Sequence, residues 1–140
     1  PILYDEHGVR RYYVGGALGV DMWAGELILR LKEQPGYGDI ELVVVLPFEG
    51  HDSKWDERSK RRMDFLLRMC SDCVVIGKED CRENYIKRNC YMVDHADYLV
   101  AVYDNERNLR SGTMQTVRYA QNKGITISFV NPDTATVTTN

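Results

Sequence analysis

Two short segments carry the residue types that phosphate binding needs. Gly15-Gly16-Ala17-Leu18-Gly19-Val20-Asp21 puts three glycines between a short apolar run and a helix-forming one. Glycine lets backbone approach a ligand without a Cβ in the way. A helix starting there would aim unpaired N–H groups and the positive end of its dipole at an anion. The same residues also suit a tight strand–helix turn in which Asp21 merely complements that dipole. A second segment repeats the pattern: Asp104, then Arg110-Ser111-Gly112-Thr113 just ahead of another helix. Ser111 or Thr113 can cap that helix, or their hydroxyls and the Gly112 N–H can grip a phosphate. Two glycine-hydroxyl helix starts together favour a nucleotide-type ligand over packing alone. Pro47-Phe48-Glu49 ends another apolar run, and Glu49 could accept from a ribose hydroxyl or simply cap a loop.

The cysteines invite a different chemistry. Cys70 and Cys73 form a C-x-x-C pair, followed by Cys81 and Cys90. Zinc would need all four converging as thiolates. However, Cys73 opens the apolar run Cys73-Val74-Val75-Ile76, and Cys70 falls on an apolar helix face. Free thiols acting as small buried hydrophobes in a reducing cytoplasm are therefore expected, with no metal ligand. No Ser-His-Asp arrangement stands out, and no catalytic residue is assigned.

The elements that must position these residues follow from hydrophobic pattern. Ile40 to Leu46, Cys73 to Ile76, Tyr98 to Tyr103 and Ile125 to Val130 are apolar runs with little polar alternation, as in strands buried on both faces. Tyr12-Tyr13-Val14 is a fifth. Between them lie helical patterns. In the first, Val20, Trp23, Ala24, Leu27, Ile28 and Leu31 form one continuous stripe, expected to face the core. The second, Asp56 to about Cys70, puts Met63, Leu66, Leu67 and Cys70 on one side. The third, about Glu83 to Ala96, groups Ile86, Cys90 and Val93. The fourth starts near Thr113, turns Val117 and Ala120 inward and stops at Gly124. Strand and helix alternating in this way predict an α/β fold: a Rossmann-like, doubly wound, mostly parallel sheet of about five strands flanked by helices, with right-handed crossovers.

Length and charge bound the function. The 140 residues, 44% apolar and 28% charged, suit one globular domain spanning 1–140. No run approaches the ~20 apolar residues of a membrane span, and Pro1-Ile2-Leu3-Tyr4-Asp5 does not read as a signal peptide. A cytoplasmic protein with no membrane partner is expected, and homo-oligomerisation is left open. Eighteen basic against twenty-one acidic residues give −3, which disfavours a nucleic-acid partner. Lys54, Arg58, Lys60, Arg61, Arg62 and Arg68 crowd the second helix. That reads as a solvated, salt-bridged face, or as a dock for RNA, DNA or an acidic partner. The nine tyrosines show no stacking pattern.

In order along the chain, the residues from Gly15 to Ala24, Leu46-Pro47-Phe48-Glu49-Gly50 with Trp55, Lys87-Arg88-Asn89-Cys90-Tyr91-Met92-Val93-Asp94, and Ala101-Val102-Tyr103-Asp104 with Ser111-Gly112-Thr113 resemble the YpsA-like family. That family belongs to the SLOG superfamily of Rossmann-like folds, and the resemblance runs from about Tyr12 to Val130. The first motif is also similar to the glycine loop of the DNA-processing protein A family, which binds single-stranded DNA. The resemblance implies a pocket for a nucleotide or an NAD-derived, ADP-ribose-like molecule formed by the glycine loops. Arg88 and Asn89 would face it from the third helix and Asp104 would line it. Arg88 suits phosphate as a bidentate donor and Asn89 suits a base edge or ribose; alternatively both lie on a solvated helix face.

Two departures qualify this. The family opens with a central strand ending in Gly-His-Arg, whereas Pro1 to Gly8 read as a short helix ended by Gly8. Either the chain shown begins late, or another segment such as Thr134 to Thr139 takes that place; His51 and His95 do not replace the motif. The superfamily's phosphoribohydrolases, similar to cytokinin-activating enzymes, carry a Gly-Gly-x-Gly-Thr-x-x-Glu loop. Gly112-Thr113 match it, but the Glu position holds Thr116, and a hydroxyl is no carboxylate base. The expectation is a domain that senses or sequesters a nucleotide or NAD-related ligand rather than transforming it. The alternatives are a nucleotide N-glycoside hydrolase and a single-stranded nucleic-acid binder.

Overall fold

The computed structural model describes residues 1–102, 111–131 and 134–139. The chain divides into two compact units, Pro1–Asn84 and Tyr85–Asn140.

The first unit opens with the short helix α1 (Ile2–His7), stopped by Gly8 at φ 70° as its pattern predicts. Then follow β1 (Arg11–Val14), α2 (Val20–Lys32), β2 (Glu41–Phe48), α3 (Glu57–Met69) and β3 (Asp72–Gly77). The strands pair in the order β1-β2-β3, all parallel, with Val14 opposite Val44 and Val44 opposite Cys73. Parallel pairing brings the carboxyl ends of the three strands to one edge. β2 is buried along almost its whole length, as its unbroken Leu-Val-Val-Val-Leu run requires. Val14, Leu42, Val44 and Leu46 of the sheet pack with Met22 and Leu29 of α2 and Met63 and Leu66 of α3.

α2 buries only part of its predicted apolar stripe, with Ala24 and Ile28 half-buried against the core. Met22, Gly25 and Leu29 turn inward, while Val20, Trp23 and Leu27 are exposed, Trp23 at 59%. The reason is Gly25. A Cβ there would lie 3.3 Å from both Leu66 methyl carbons, so the missing side chain admits α3, and the smallest residue of the helix selects the contact. Counting apolar residues cannot register that. Cys73 is likewise exposed rather than buried.

The second unit holds most of α4 (Arg82–Asp94), then β4 (Tyr98–Val102), α5 (Ser111–Lys123), β5 (Thr126–Asn131) and β6 (Thr136–Thr139). β4 and β5 are parallel, β5 and β6 antiparallel, in the order β4-β5-β6. Val93, Ala101, Val117, Ala120 and Ile127 form its core, the inward positions expected for α4 and α5 among them. Thr136–Thr139 pairs β5 on the side away from β4. It is an edge strand of this three-stranded sheet. The architecture is α/β, and the described residues form six strands in two mostly parallel three-stranded sheets, one in each unit.

Candidate functional site

At the end of β1 the chain turns through Gly15 and Gly16, both buried, and then exposed Gly19, into α2. The turn is held by the protein's own groups. Gly15 N–H donates to Asp21 Oδ2 at 3.1 Å, and Gly16 O lies 2.8 Å from His51 Nε2. A carbonyl only accepts, so His51 must carry its proton on Nε2. The His51 ring meets Trp55 edge-on at 5.1 Å, which braces it. Gly16 has φ 70°, and a Cβ there would come within 2.6 Å of Leu46 Cδ2. Glycine at 16 thus answers to core packing.

Gly19 is different. It is the N-cap of α2 at φ 85°, ψ −119°, with no side-chain cap on the helix start, and nothing lies within 4 Å of where its Cβ would be. Trp23 N–H donates to its carbonyl at 3.0 Å, beginning the helix. Gly19 and Val20 are exposed at this helix start, whereas Met22, two residues further on, is fully buried. Asp21 sits on that turn with its carboxylate directed at Gly15, matching the dipole-complementing alternative. An arriving anion would meet that negative charge as well as the amides. Glu49 is exposed at the end of β2 on the same edge.

At the end of β3, a Cβ on Gly77 would overlap the Asn84 side chain. Asn84 is buried, and its Nδ2 donates to Glu79 O at 2.7 Å. Neither His51 nor Asn84 is assigned to this edge by sequence. The available signals were a histidine five residues after Leu46 and a polar residue in the first turn of α4, both too common to stand out.

In the second unit Arg88 is 7% exposed, so it does not lie on a solvated helix face. Its Nε donates to Asn89 Oδ1 at 2.9 Å, and its guanidinium carbon is 5.5 Å from the centre of the Tyr85 ring. Asn89 is half-buried and adjacent, as the motif order implies. Ser111 opens α5, so Gly112 and Thr113 lie in its first turn. Asp104, Tyr103 and Arg110 lie outside the described residues. Thr116 is half-buried within α5. Between α4 and α5, Asp94 Oδ1 accepts from Tyr119 OH at 2.7 Å and pairs with Lys123 Nζ at 3.1 Å. Those two partners, Tyr119 first, hold the Asp94 carboxyl below its ordinary range.

The cysteines are free thiols. Partial burial raises the Cys70 thiol above the ordinary range, and Cys70 Sγ donates to Leu67 O at 3.2 Å. Both features favour the neutral thiol over the thiolate a metal needs. Among the described residues no three His, Cys, Asp or Glu side chains are grouped to hold a metal ion, and no helix is long and apolar enough to cross a membrane.

These features fit a known family. A UPF0398 protein of Bacillus cereus (strain ATCC 14579) is 29% identical over 108 residues, covering 76% of this chain and 58% of that protein. A UPF0398 protein of Bacillus thuringiensis (strain Al Hakam) is 29% identical over 106 residues, 74% of this chain and 56% of its own length. The chain thus spans less than two thirds of the length of these curated relatives. The family model described as the YspA SLOG family (YpsA) matches residues 2–135. Because that match takes in nearly all of the sequence, the chain belongs to the YpsA SLOG family.

Proposed function

We propose that this chain is a Rossmann-like domain that binds a nucleotide or an NAD-derived molecule such as ADP-ribose, sensing or sequestering it rather than cleaving it. The observation that carries the reading is the start of α2. A helix whose N-cap is an exposed glycine, with no side-chain cap hydrogen bond, stands at the carboxyl edge of an all-parallel sheet. That edge is where open α/β sheets receive ligands. In the first unit Gly15 and Gly16 shape the turn, Gly19 and the following amides receive phosphate, and Glu49 accepts from a ribose hydroxyl. In the second unit the same reading gives Arg88 and Asn89 charge and polar recognition, and Ser111, Gly112 and Thr113 a phosphate contact at α5. Thr116, where phosphoribohydrolases carry glutamate, is the ground for preferring binding to hydrolysis.

The test is a melting-temperature panel with AMP, ADP-ribose and NAD, followed by amide chemical shifts with the ligand that stabilises most. The reading requires that the largest shifts within the first unit fall at Gly19 to Asp21 and those within the second unit at Gly112 and Thr113. It also requires that Gly112→Asp, which adds a like charge in the first turn of α5, weaken the stabilisation. Ligands that leave those amides unmoved would sink it.

A further inference from the structure

The proposed ligand edge uses the start of α2 and leaves α3 unexplained. We propose that the outer face of α3 docks an acidic, amphipathic segment of another protein. Five basic residues against two acidic ones give α3 a formal charge of +3. The chain totals −3, so the remainder carries −6, and α3 is a basic element on an acidic protein. Part of that charge is engaged. Arg62 pairs with Glu26 of α2, and Lys60 lies 3.9 Å from Glu57. Arg58, Arg61 and Arg68 remain exposed on the outer side, opposite buried Met63 and Leu66.

Apolar groups stand among those arginines. Phe65 is 43% and Met69 51% exposed, one helical turn apart, so they form a continuous shelf. Beside it opens a concavity of about 480 Å³ lined by Arg61, Asp64, Leu67 and Arg68. Arginines set around exposed aromatic and thioether groups match a helix that presents carboxylates along one flank and an apolar ridge along the other. Charge complementarity thus selects an acidic partner from the basic face it must meet. Asp64 lies three residues after Arg61 and four before Arg68, on the same face, so any anion bridging them, phosphate or carboxylate, meets its charge. A partner side chain bearing an N–H donor would satisfy it. Phe65 is also the only aromatic residue of α3, not a series of platforms on which single-stranded bases stack.

The probe is a fluorescent helical peptide with Glu and Leu at amphipathic spacing, titrated against the whole chain by anisotropy. The double variant Arg61→Glu with Arg68→Glu, both at exposed positions, should weaken binding by about tenfold or more. Phe65→Ser should weaken it less, and both variants should melt as the parent does. A peptide with Lys in place of Glu should prefer the double variant, because reversed charge on both sides restores the match. Three outcomes would overturn the proposal: no binding of the acidic peptide, binding indifferent to these substitutions, or displacement of the peptide by oligothymidine from the same residues.

Discussion

Gly16 and Gly19 lie three residues apart in one turn, yet they are glycine for opposite reasons. Gly16 is buried with Leu46 and His51 pressed against it, and its missing Cβ is filled by the protein itself. Gly19 is exposed, and the space where its Cβ would stand is empty. Gly77 repeats the first case, with Asn84 seated against it. Gly16 and Gly19 take φ of 70° and 85°, so the sign of φ does not separate them; surroundings do. A glycine-rich strand end therefore mixes positions that serve packing with positions that leave backbone open to a ligand, and only the second kind bears on binding.

Substitution should separate the two. The largest effect is expected from Gly16→Ala, which adds the left-handed backbone penalty to a clash with Leu46 in a close-packed core. Together these should destabilise by about 3 kcal/mol, read from the urea midpoint. Combining it with Leu46→Ala should give less than the sum of the two single effects, because the second change makes room for the first. Strict additivity would mean that Leu46 is not the obstacle. Gly19→Ala meets no neighbour and should lose only the backbone term, about 1–2 kcal/mol, while reducing nucleotide-induced stabilisation disproportionately. Equal stability losses at 16 and 19 would erase the contrast.

Asp21→Ala removes the acceptor for Gly15 N–H and should destabilise by about 1 kcal/mol, with Asn recovering most of that. If phosphate binds at the start of α2, Asp21→Asn should also tighten it, since a like charge is removed. The smallest effect belongs to the second unit and serves as a control. Asp94 is held below its ordinary value of 3.8, so its contribution is complete above that value and fades as pH falls through the lower folded value. Tyr119→Phe should flatten this acid-side slope in a denaturation series and leave the Gly15 and Gly16 amide signals where they were.

Much of the fold was legible in residue order. Runs such as Leu42-Val43-Val44-Val45-Leu46 could only be strands covered on both faces, and Gly8 and Gly124 stop helices at φ 70° and 76°. The rotation of α2 was not legible, because Gly25 acts through an absent side chain and its effect depends on Leu66, forty-one positions away. The burial of Arg88 was hidden for a similar reason: an arginine in a polar helix reads as solvated until the surrounding elements are assembled. In the candidate site, the glycines and Asp21 could be named in advance, but which glycine serves packing could not. His51 reaches Gly16 only because parallel pairing sets the end of β2 beside the end of β1.

Residue order alone determined the alternation of strand and helix, the parallel pairing it implies and the family motifs, since each depends on neighbours within a few positions and on side-chain period. Tertiary structure decided which face of α2 is covered, which side chain fills the space over Gly16 and Gly77, and how the strands group into sheets. Those outcomes depend on whether atoms from distant segments compete for the same volume, and no local pattern records that competition.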